Sequence, residues 1–393
     1  MTSDYGFGTR SIHAREAPDP STGAHGVPIY QNATYGFDSY EEIEAWRNGA
    51  PHFFYARTSN PTVRCLELKL ANLEGADEAV ATASGMAAIS ATLLHLLADG
   101  GHLVASDDLY AESRDFVLDD LPRFGATVDL VDFTNVAAVE AAISPRTRAL
   151  FTEAFSNPML GVVDLQPLGD LARRRNIPLV VDNTLLSPAL LRPLEHGAEI
   201  VVHSATKYLS GHGNVVGGIV CGAQGTVAAI AELLSRLGGP MSPFNAWLLL
   251  AGIKTLPLRM ERHSANAAAL ATLFDGHPAV ETVHYPGLPC HPHHAAARRL
   301  VGARFGGMLS IALRGPEEVI GRFLDTLALP TLAVSLGDTA TLIWPVGGGN
   351  LIRISVGIED GADLIADFAN ALAAIEAPVP ATVGAPSLNL DGR

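Results

Sequence analysis

The sequence is poor in cysteine, in basic residues and in long apolar runs. Its three cysteines, Cys65, Cys221 and Cys290, are odd in number and far apart, which argues against a disulfide framework and favours a reducing, cytoplasmic compartment. Lysine and arginine number 26 against 41 acidic residues, giving a net charge of −15, so neither nucleic acid nor an anionic membrane is an expected partner. We expect no membrane span, because no stretch approaches about 20 unbroken apolar residues, and no signal peptide, because residues 1–5 have no basic region before an apolar one.

Nucleotide-binding motifs are also missing. The chain has no GxGxxG turn and no Walker-type lysine, so a bound nucleotide is disfavoured. What it does have is length and apolar content: 393 residues, of which 48% are hydrophobic. That is enough for a large core and two domains, and at this size an enzyme is the usual case.

Short apolar runs alternate with amphipathic stretches between residues 57 and 255. Strands spaced by helices predict βαβ units and an α/β domain built on a mostly parallel sheet. The predicted strands are residues 78–83, 102–106, 127–131, 148–153, 178–181, 199–202 and 215–221, and the predicted helices are residues 61–73, 85–97, 111–124, 136–143 and 165–175.

Three other segments flank this domain. Residues 1–56 are rich in Gly, Pro, Tyr and His, lack periodicity and predict an extended arm. Residues 378–393 are rich in Pro, Ala and Gly and predict a flexible tail. Residues 256–377 predict a smaller α+β domain, with a helix at 259–274 and strands at 279–284, 308–313 and 351–356.

A lysine stands at a predicted strand end. Lys207 and the hydroxyls of Ser204 and Thr206 follow the apolar run 198–202 and precede a glycine-containing loop. Ligands of open α/β sheets bind at the carboxyl edge of the strands. There a lysine can form a Schiff base with an aldehyde, and hydroxyls can donate to a phosphate. An isolated segment of this kind would more simply hold a surface lysine.

Two further strand ends carry groups suited to a phosphorylated aromatic cofactor. Ser84, Gly85 and Met86 follow the first strand and open a helix, whose free first-turn amides can bind an anion; an ordinary strand-to-helix turn has the same pattern. Asp182 ends a fully apolar strand, where a carboxylate is costly to bury without a cation such as a pyridinium. Capping of the next turn is the alternative for Asp182.

Tyr110 and Arg353 extend the set. Tyr110 lies just past the strand at 102–106, where its ring could stack on a planar group, move protons or simply pack. Arg353 lies on a strand between apolar neighbours and suits an amino-acid carboxylate, unless a group within the protein pairs with it. Each feature is weak alone, but together they are what a pyridoxal-phosphate enzyme acting on an amino acid needs.

The chain resembles the Cys/Met-metabolism family of pyridoxal-phosphate enzymes, which includes cystathionine γ-lyase, methionine γ-lyase and cystathionine γ-synthase. The resemblance runs from about residue 9 to about residue 372, and its motifs are YARTSNP at 55–61, SGM at 84–86, VDNT at 181–184, SATK at 204–207 and LIR at 351–353. It implies a fold-type I, aminotransferase-like α/β architecture with a seven-stranded sheet and a smaller C-terminal domain. It also implies a homotetramer built from catalytic dimers.

The resemblance assigns the core of the site by motif. Lys207 would carry pyridoxal 5′-phosphate, Asp182 would pair with its ring nitrogen, and Tyr110 would stack on the ring and move protons. The other cofactor contacts would be the phosphate-binding positions and an asparagine near the cofactor hydroxyl, namely Ser84, Gly85, Met86, Ser204, Thr206 and Asn157.

The resemblance also implies contacts to substrate and to a second subunit. Arg353 and Ser335 would hold the substrate carboxylate, with Tyr110 beside it. Tyr55 and Arg57 would reach the phosphate of a neighbouring subunit, which gives the aromatic arm a purpose and makes a dimer the catalytic minimum.

One departure from the family affects the expected pocket wall. Family members carry a longer segment, with a His-Pro-Ala-x-Met-Thr-His motif, before the LIR motif. Here residues 338–350 replace it, with Trp344-Pro345 and a glycine run. A pocket wall is therefore missing or rebuilt, and the glycine-rich bridge is a candidate for a mobile loop.

Other departures concern the subgroup. Glu112 stands where methionine γ-lyases have a cysteine, and residues 235–236 read Ser-Arg where those enzymes have Lys-Asp. Val334 and Asp115 stand where cystathionine γ-lyases have a glutamate and an arginine. The segment VSLGD at 334–338 is closer to the methionine γ-lyases.

The expected function is γ-elimination, with β-elimination a further possibility, on a sulfur-containing L-amino acid such as methionine, homocysteine or cystathionine. The products would be a 2-oxoacid, ammonia and a thiol. A γ-replacement enzyme is the alternative, either a cystathionine γ-synthase or an O-acylhomoserine sulfhydrylase, and a non-catalytic homologue is a third reading. We expect no metal site in the histidine-rich loop at 290–294, since the family has a similar loop without metal.

Overall fold

A computed structural model describes residues 5–347 and 349–376 of the chain. The predicted tail at 378–393 lies outside the described residues. Within the predicted arm the chain forms two short helices, α1 (Phe7–His13) and α2 (Tyr40–Arg47). The arm is therefore not extended throughout, because Ser39 caps α2 by accepting a hydrogen bond from the Glu42 amide over 3.2 Å.

The beginning of the arm is anchored on its own chain. Arg10 Nη1 donates to the Asn72 carbonyl over 2.6 Å. The buried Lys69 ammonium donates to the Ser11 carbonyl over 2.8 Å and pairs with Glu16 over 2.7 Å. The predicted contact of the arm with a neighbouring subunit stays a prediction.

A seven-stranded sheet forms the centre of the chain, as predicted. Its order is β1-β7-β6-β5-β4-β2-β3. The pairs among β2 to β6 are parallel, and β7 runs antiparallel to both of its neighbours. The strands are β1 (Glu78–Thr82), β2 (His102–Ser106), β3 (Thr127–Val131), β4 (Thr147–Glu153), β5 (Leu179–Asp182), β6 (Ile200–Ser204) and β7 (Gly218–Gly222).

Helices pack on both faces of this sheet, which is why its central strands are apolar on both sides. Successive residues of β5 enter different clusters: Val181 packs with Leu66 of one helix layer, and Val180 with Leu93 of the other. The helices are α3 (Pro61–Glu74), α4 (Gly85–Leu96), α5 (Ala111–Asp115), α6 (Val136–Ala142), α7 (Leu165–Arg175), α8 (Ser187–Leu190), α9 (Gln224–Leu237) and α10 (Pro243–Ile253).

The segment predicted as a helix over residues 111–124 is helical throughout, but it is not one regular α-helix. The chain there forms α5, then a π-helical turn at Phe116–Asp120 and a 3₁₀ turn at Leu121–Phe124. Pro122 lies in the first turn of that last segment. Proline lacks an N–H and clashes with the preceding turn, so a continuous α-helix cannot pass through it without distortion. Another 3₁₀ turn spans Pro193–His196.

A second, smaller sheet of five strands follows α11 (Leu256–Phe274). Its order is β10-β11-β12-β9-β8, antiparallel except for the β10–β11 pair. Phe274, Phe323 and Phe368 pack in the core between this sheet and its helices. The elements are β8 (Val280–His284), α12 (His294–Val301), β9 (Met308–Leu313), α13 (Glu317–Thr326), β10 (Thr331–Leu332), β11 (Leu342–Pro345), β12 (Leu351–Ser355) and α14 (Gly361–Glu376).

The helices of the part of the chain that the structure describes are too short or too polar to span a bilayer. Within residues 5–347 and 349–376, none is both long and apolar enough to cross a membrane.

Candidate active site

A cavity of about 370 Å³ lies between the carboxyl ends of the large-sheet strands and one face of the small sheet. It is lined by all of the predicted site residues except Tyr55 and Arg57. The predicted residues that it brings together are Ser84, Gly85, Met86, Tyr110, Asn157, Asp182, Ser204, Thr206, Lys207, Ser335 and Arg353. In particular, Lys207 and Asp182 face a common space, which the sequence interpretation requires.

The amino terminus of α4 forms one end of the cavity. Ser84 caps the helix, its hydroxyl accepting from the Ala87 amide over 3.1 Å. The amides of the first turn have no partner inside a helix and so remain available to an anion. Gly85 is required by close packing, because a Cβ added there would lie 2.7 Å from the Cβ of Ser204. This contact with β6 was not foreseen; the sequence suggested only an approach to the ligand.

A hydrogen-bonded chain joins β6 to the carboxylate of Asp182. The Ser204 amide donates to the Thr184 hydroxyl over 2.8 Å. The hydroxyl and amide of Thr184 in turn donate to Asp182 Oδ1 over 2.5 and 2.9 Å. Thr184 belongs to the VDNT motif but was not among the predicted site residues. It fixes one carboxylate oxygen of Asp182, so that the other is free to face a ligand.

Glu153 is a second buried acid beside Asp182 that the sequence analysis missed. It ends β4 and lies directly opposite Asp182 in the parallel β4–β5 pair. Burial, and then the charge of Asp182, raises the pKa of Glu153 well above its ordinary value. Burial also raises the pKa of Asp182, against the lowering effect of the Thr184 hydrogen bonds. Two adjacent buried carboxylates cannot both ionise cheaply, so this site favours a cation nearby.

Glu153 also positions Tyr110. One carboxylate oxygen of Glu153 accepts from the Tyr110 amide over 2.6 Å, at the point where α5 begins. The phenol is 43% exposed. Burial of its remaining surface, and then the charge of Glu112, raises its pKa above the ordinary tyrosine value. Tyr110 is therefore a protonated phenol at neutral pH, able to donate.

Lys207 and Arg353 are joined through Ser335. The Lys207 ammonium donates to the Ser335 hydroxyl over 2.8 Å, and Arg353 Nη2 donates to the Ser335 carbonyl over 2.9 Å. Ser335 has a φ of 82°, an uncommon conformation for a residue other than glycine. In this conformation its two oxygens contact the two cations.

Burial lowers the pKa of both cations. For Lys207, burial is the larger cause and the nearby charge of Arg353 the smaller. The lowered pKa increases the fraction of uncharged amine, the form that attacks an aldehyde. Arg353 stays charged at neutral pH even so, because the ordinary pKa of a guanidinium lies far above neutral pH.

Asn157 presents an unpaired polar atom. Its Oδ1 is buried and has no hydrogen-bond partner among the described residues. The loop that carries it is held by Ser156, whose hydroxyl donates to Asp108 over 2.5 Å and accepts from the Gly161 amide over 2.9 Å. A buried acceptor on a fixed loop fits a polar group of a ligand.

Tyr55 and Arg57 lie away from this cavity. Arg57 donates to the Ser235 carbonyl over 2.9 Å, and its guanidinium lies 5.4 Å from the centroid of the Tyr55 ring. Both side chains are accessible from outside the chain. Their predicted contact with the phosphate of a neighbouring subunit stays a prediction.

The small-sheet side of the cavity is apolar apart from Ser335 and Arg353. Val334, Leu336 and Trp344 line it. Trp344 lies on β11 directly opposite Arg353 of β12. The sequence left two alternatives for this pocket wall, that it is missing or that it is rebuilt. The structure shows the second: the β11–β12 hairpin forms the wall, and Trp344 is its aromatic residue.

The histidine-rich loop contacts backbone groups. His293 Nδ1 accepts from the Val162 amide over 3.0 Å, and His294 Nδ1 lies 2.8 Å from the Pro286 carbonyl oxygen. Across the part of the chain that the structure describes, no three His, Cys, Asp or Glu side chains converge in a way that could hold a metal ion.

Comparisons with known proteins agree with this geometry. The family model "Cys/Met metabolism PLP-dependent enzyme" matches residues 8–347. An L-methionine gamma-lyase of Pseudomonas putida is 41% identical over 391 residues, covering 94% of this chain and 98% of the relative. An O-succinylhomoserine sulfhydrylase of Pseudomonas aeruginosa is 38% identical over 387 residues, covering 94% of this chain and 96% of the relative.

A solved structure carries the cofactor itself. A Campylobacter jejuni protein crystallised with N′-pyridoxyl-lysine-5′-monophosphate matches with a TM-score of 0.89 and 31% identity, covering 94% of this chain and 100% of that one. Pyridoxal 5′-phosphate is therefore the cofactor of this chain. The residues fit it: the open α4 terminus suits a phosphate, the buried acid pair suits a protonated ring nitrogen, and the unpaired Asn157 Oδ1 suits a hydroxyl.

Proposed function

Because the chain belongs to the Cys/Met-metabolism pyridoxal-phosphate enzymes, we propose that it catalyses γ-elimination on a sulfur-containing L-amino acid. The substrate class includes methionine, homocysteine and cystathionine, and the products are a 2-oxoacid, ammonia and a thiol; β-elimination is a possible further activity. The observation that carries the proposal is that one cavity is lined by a half-buried lysine, a half-buried acid, an open helix terminus and an arginine.

The bound cofactor supplies an aldehyde that condenses with the substrate amine and a ring that accepts electrons from Cα. The protein residues do the rest. Asp182, with one oxygen held by Thr184, keeps the ring nitrogen protonated. Asn157 would accept from the ring hydroxyl, and the phosphate would be held by Ser84, Gly85, Met86, Ser204 and Thr206.

Substrate binding divides between the two sides of the cavity. Arg353 pairs with the α-carboxylate, in a position fixed by the Ser335 carbonyl. Lys207, once its amine is released, takes the Cα proton and moves protons to neighbouring carbons; its lowered pKa suits a base. Tyr110 would stack on the ring of the bound cofactor and donate a proton to the departing sulfur, a role that its raised pKa supports.

The assembly that we propose is a homotetramer of catalytic dimers in the cytoplasm. Tyr55 and Arg57 are accessible and lie outside their own cavity, which suits a contact across the dimer. The three cysteines are free, and Cys65 and Cys221 are shielded to different extents. Unpaired cysteines suit a reducing compartment.

A substrate panel tests elimination. Purified enzyme loaded with cofactor is incubated with L-methionine, L-homocysteine or L-cystathionine, and 2-oxoacid is measured by a coupled dehydrogenase. We expect oxoacid and thiol in equal amounts without any added thiol. Absence of oxoacid from all three substrates would reject elimination.

γ-Replacement is the second candidate, since the 38% identical relative is named a sulfhydrylase and the same lysine and acid serve both reactions. An O-acylhomoserine supplied with a thiol distinguishes the two. A product that forms only when both are present supports replacement. A non-catalytic homologue is disfavoured, because the buried Glu153 and the half-buried Lys207 and Asp182 are costly to retain without a ligand.

A further inference from the structure

The rebuilt wall of the cavity is a two-stranded hairpin instead of a long loop. β11 and β12 pair in an antiparallel register, and the Val346 amide closes the turn by donating to the Leu351 carbonyl over 2.8 Å. Asn350 Nδ2 ties the turn to β9, donating to the Leu313 carbonyl over 2.9 Å. Hydrogen bonds of Val346 and Asn350 therefore hold the two ends of the turn, and the expected mobility of the bridge stays a prediction.

The hairpin places Trp344 beside Arg353. The two residues are direct cross-strand partners, so their side chains leave the same face of the small sheet, with Cβ atoms about 5 Å apart. Both line the cavity. An amino acid whose carboxylate is held by Arg353 can therefore extend its side chain along the indole.

Trp344 continues into an apolar surface. Val334 follows β10 and is held against β11 by the Ala333 amide, which donates to the Ile343 carbonyl over 3.2 Å. Leu336 lies two residues further along the same wall. The exposed fractions of Trp344 and Val334 are 39% and 61%, so both side chains present apolar surface that a ligand can cover.

In the proposed function each charged side chain of the cavity already has a partner. Among the described residues, the charged side chains that line it are Lys207, Arg353, Asp182 and Glu153. In the proposed function the first three hold the cofactor and the α-carboxylate, and Glu153 accepts from the Tyr110 amide. A second carboxylate at the distal end of a substrate would find no cation on the small-sheet wall and would lose its hydration there.

We propose that Trp344, with Val334, is the specificity-determining surface for the γ-substituent and selects an uncharged, apolar thioether over a substituent with its own carboxylate. This inference rests on the proposed function for the placement of the α-carboxylate. Within that function it favours methionine and its S-alkyl homologues over cystathionine and O-succinylhomoserine.

Two unreactive ligands of equal length test the inference. L-Norleucine replaces the methionine sulfur by CH₂, and L-2-aminoadipate replaces the norleucine methyl group by a carboxylate. Isothermal titration calorimetry on the cofactor-loaded enzyme gives both Kd values without any elimination. We expect norleucine to bind at least tenfold more tightly than aminoadipate. Equal or tighter binding of aminoadipate would overturn the inference.

Four variants test which residues cause the preference for norleucine over aminoadipate. Trp344→Ala should weaken norleucine binding about tenfold, because it removes the apolar surface against one or two methylene groups, while Trp344→Phe should retain most of the affinity. Val334→Arg should improve aminoadipate binding about tenfold by supplying a cation. Trp247→Ala is the matched control, since Trp247 has a similar exposure of 38% but lies outside the cavity lining.

The results separate this inference from the proposed function. If the norleucine preference depends on Trp344 but methionine yields no oxoacid, the role of Trp344 in ligand selection is supported and the proposed elimination is wrong. If methionine yields oxoacid but Trp344→Ala leaves the ratio of the two Kd values unchanged, elimination stands and the inference fails. Unchanged cofactor absorbance in every variant shows that the folded site is intact.

Discussion

The two sides of the cavity are built in different ways. On the large-sheet side, Asp182, Ser204 and Lys207 follow the ends of buried strands, and backbone hydrogen bonds and close packing fix their positions. On the small-sheet side, a short hairpin presents Trp344 and Arg353 from paired strands. In the proposed function the first side holds the cofactor, which is common to the family, and the second faces the variable part of the substrate. Cofactor binding and substrate selection therefore depend on separate structural elements, so a substitution can impair either one alone.

Removal of the covalent attachment point has the largest expected effect. Lys207→Ala should abolish turnover and the visible absorbance of lysine-bound cofactor, because no other lysine lines the cavity within the described residues. Absorbance spectra and oxoacid assays measure both. Lys254→Ala, at a partly exposed lysine paired with Glu16, is the control. Retained absorbance with full turnover in Lys207→Ala would reject the assignment.

The charge of Asp182 should rank next. Asp182→Asn preserves shape but removes the partner of the ring nitrogen, and kcat should fall on the order of 100- to 1,000-fold, the effect of leaving a buried charge unpaired. Cofactor absorbance should remain, because Lys207 is unchanged. A kcat within threefold of the wild type would show that this acid does not serve the ring.

Arg353 lies on the small-sheet side of the cavity, and its removal should affect substrate binding. Arg353→Ala should raise KM for the amino acid about 10- to 100-fold by removing charge-assisted hydrogen bonds, with cofactor absorbance unaffected. Steady-state kinetics measure the change, and the exposed Arg262, 3.6 Å from Asp360, supplies the control Arg262→Ala. A loss of cofactor from Arg353→Ala would contradict the separation of the two sides.

The close packing of Gly85 predicts a smaller effect on cofactor affinity. In Gly85→Ala the new Cβ would lie 2.7 Å from the Ser204 Cβ, forcing α4 away from β6 and raising the cofactor Kd about tenfold. Gly225→Ala is matched, because a Cβ on that glycine of α9 meets no atom within 4 Å. Equal affinity in both variants would mean that the phosphate does not depend on this contact.

The smallest expected effect is that of Glu153→Gln on thermal stability, and it depends on pH. In the cofactor-free protein, burial and the charge of Asp182 raise its folded-state pKa above the unfolded value of about 4.3. Protonated Glu153 therefore makes its full contribution to the free energy of unfolding at pH below the unfolded-state pKa. That contribution is lost as the pH rises through the folded-state pKa. Glu153→Gln removes this dependence while leaving an acceptor for the Tyr110 amide.

Thermal unfolding of the cofactor-free protein checks this sign. The Tm of Glu153→Gln minus that of the wild type should increase between pH 4 and pH 8 by a few degrees. Glu41→Gln, at an exposed carboxylate of α2, should show no such trend. A difference that decreases with pH would mean that Glu153 is stabilised as a carboxylate.

The sequence predicted the large-sheet side better than the small-sheet side, for physical reasons. Strands buried on both faces are continuous apolar runs with polar residues at their ends, so Asp182 and Lys207 could be placed from pattern alone. β10 and β11 are short and partly exposed, with no such run, so the position of Trp344 depended on pairing that a linear pattern does not contain. α9 and α10 were not predicted from the sequence.

Glu153 was missed for a related reason. It lies inside a predicted strand at 148–153 and looks like an ordinary last residue. Its importance comes from the β4–β5 register, which sets it opposite Asp182. Strand register is a tertiary property, so the sequence alone could not reveal the pairing of these two acids.

The position of β7 has a consequence for how the cofactor pocket is completed during synthesis. Within the described residues, β1 is hydrogen-bonded to β7 and to no other strand, and α4 follows β1 directly. The strand that leads into α4 therefore has no partner strand in the sheet until residue 222 has left the ribosome. Uptake of the vitamin-derived aldehyde should then occur late, and a nascent chain truncated before β7 should remain colourless.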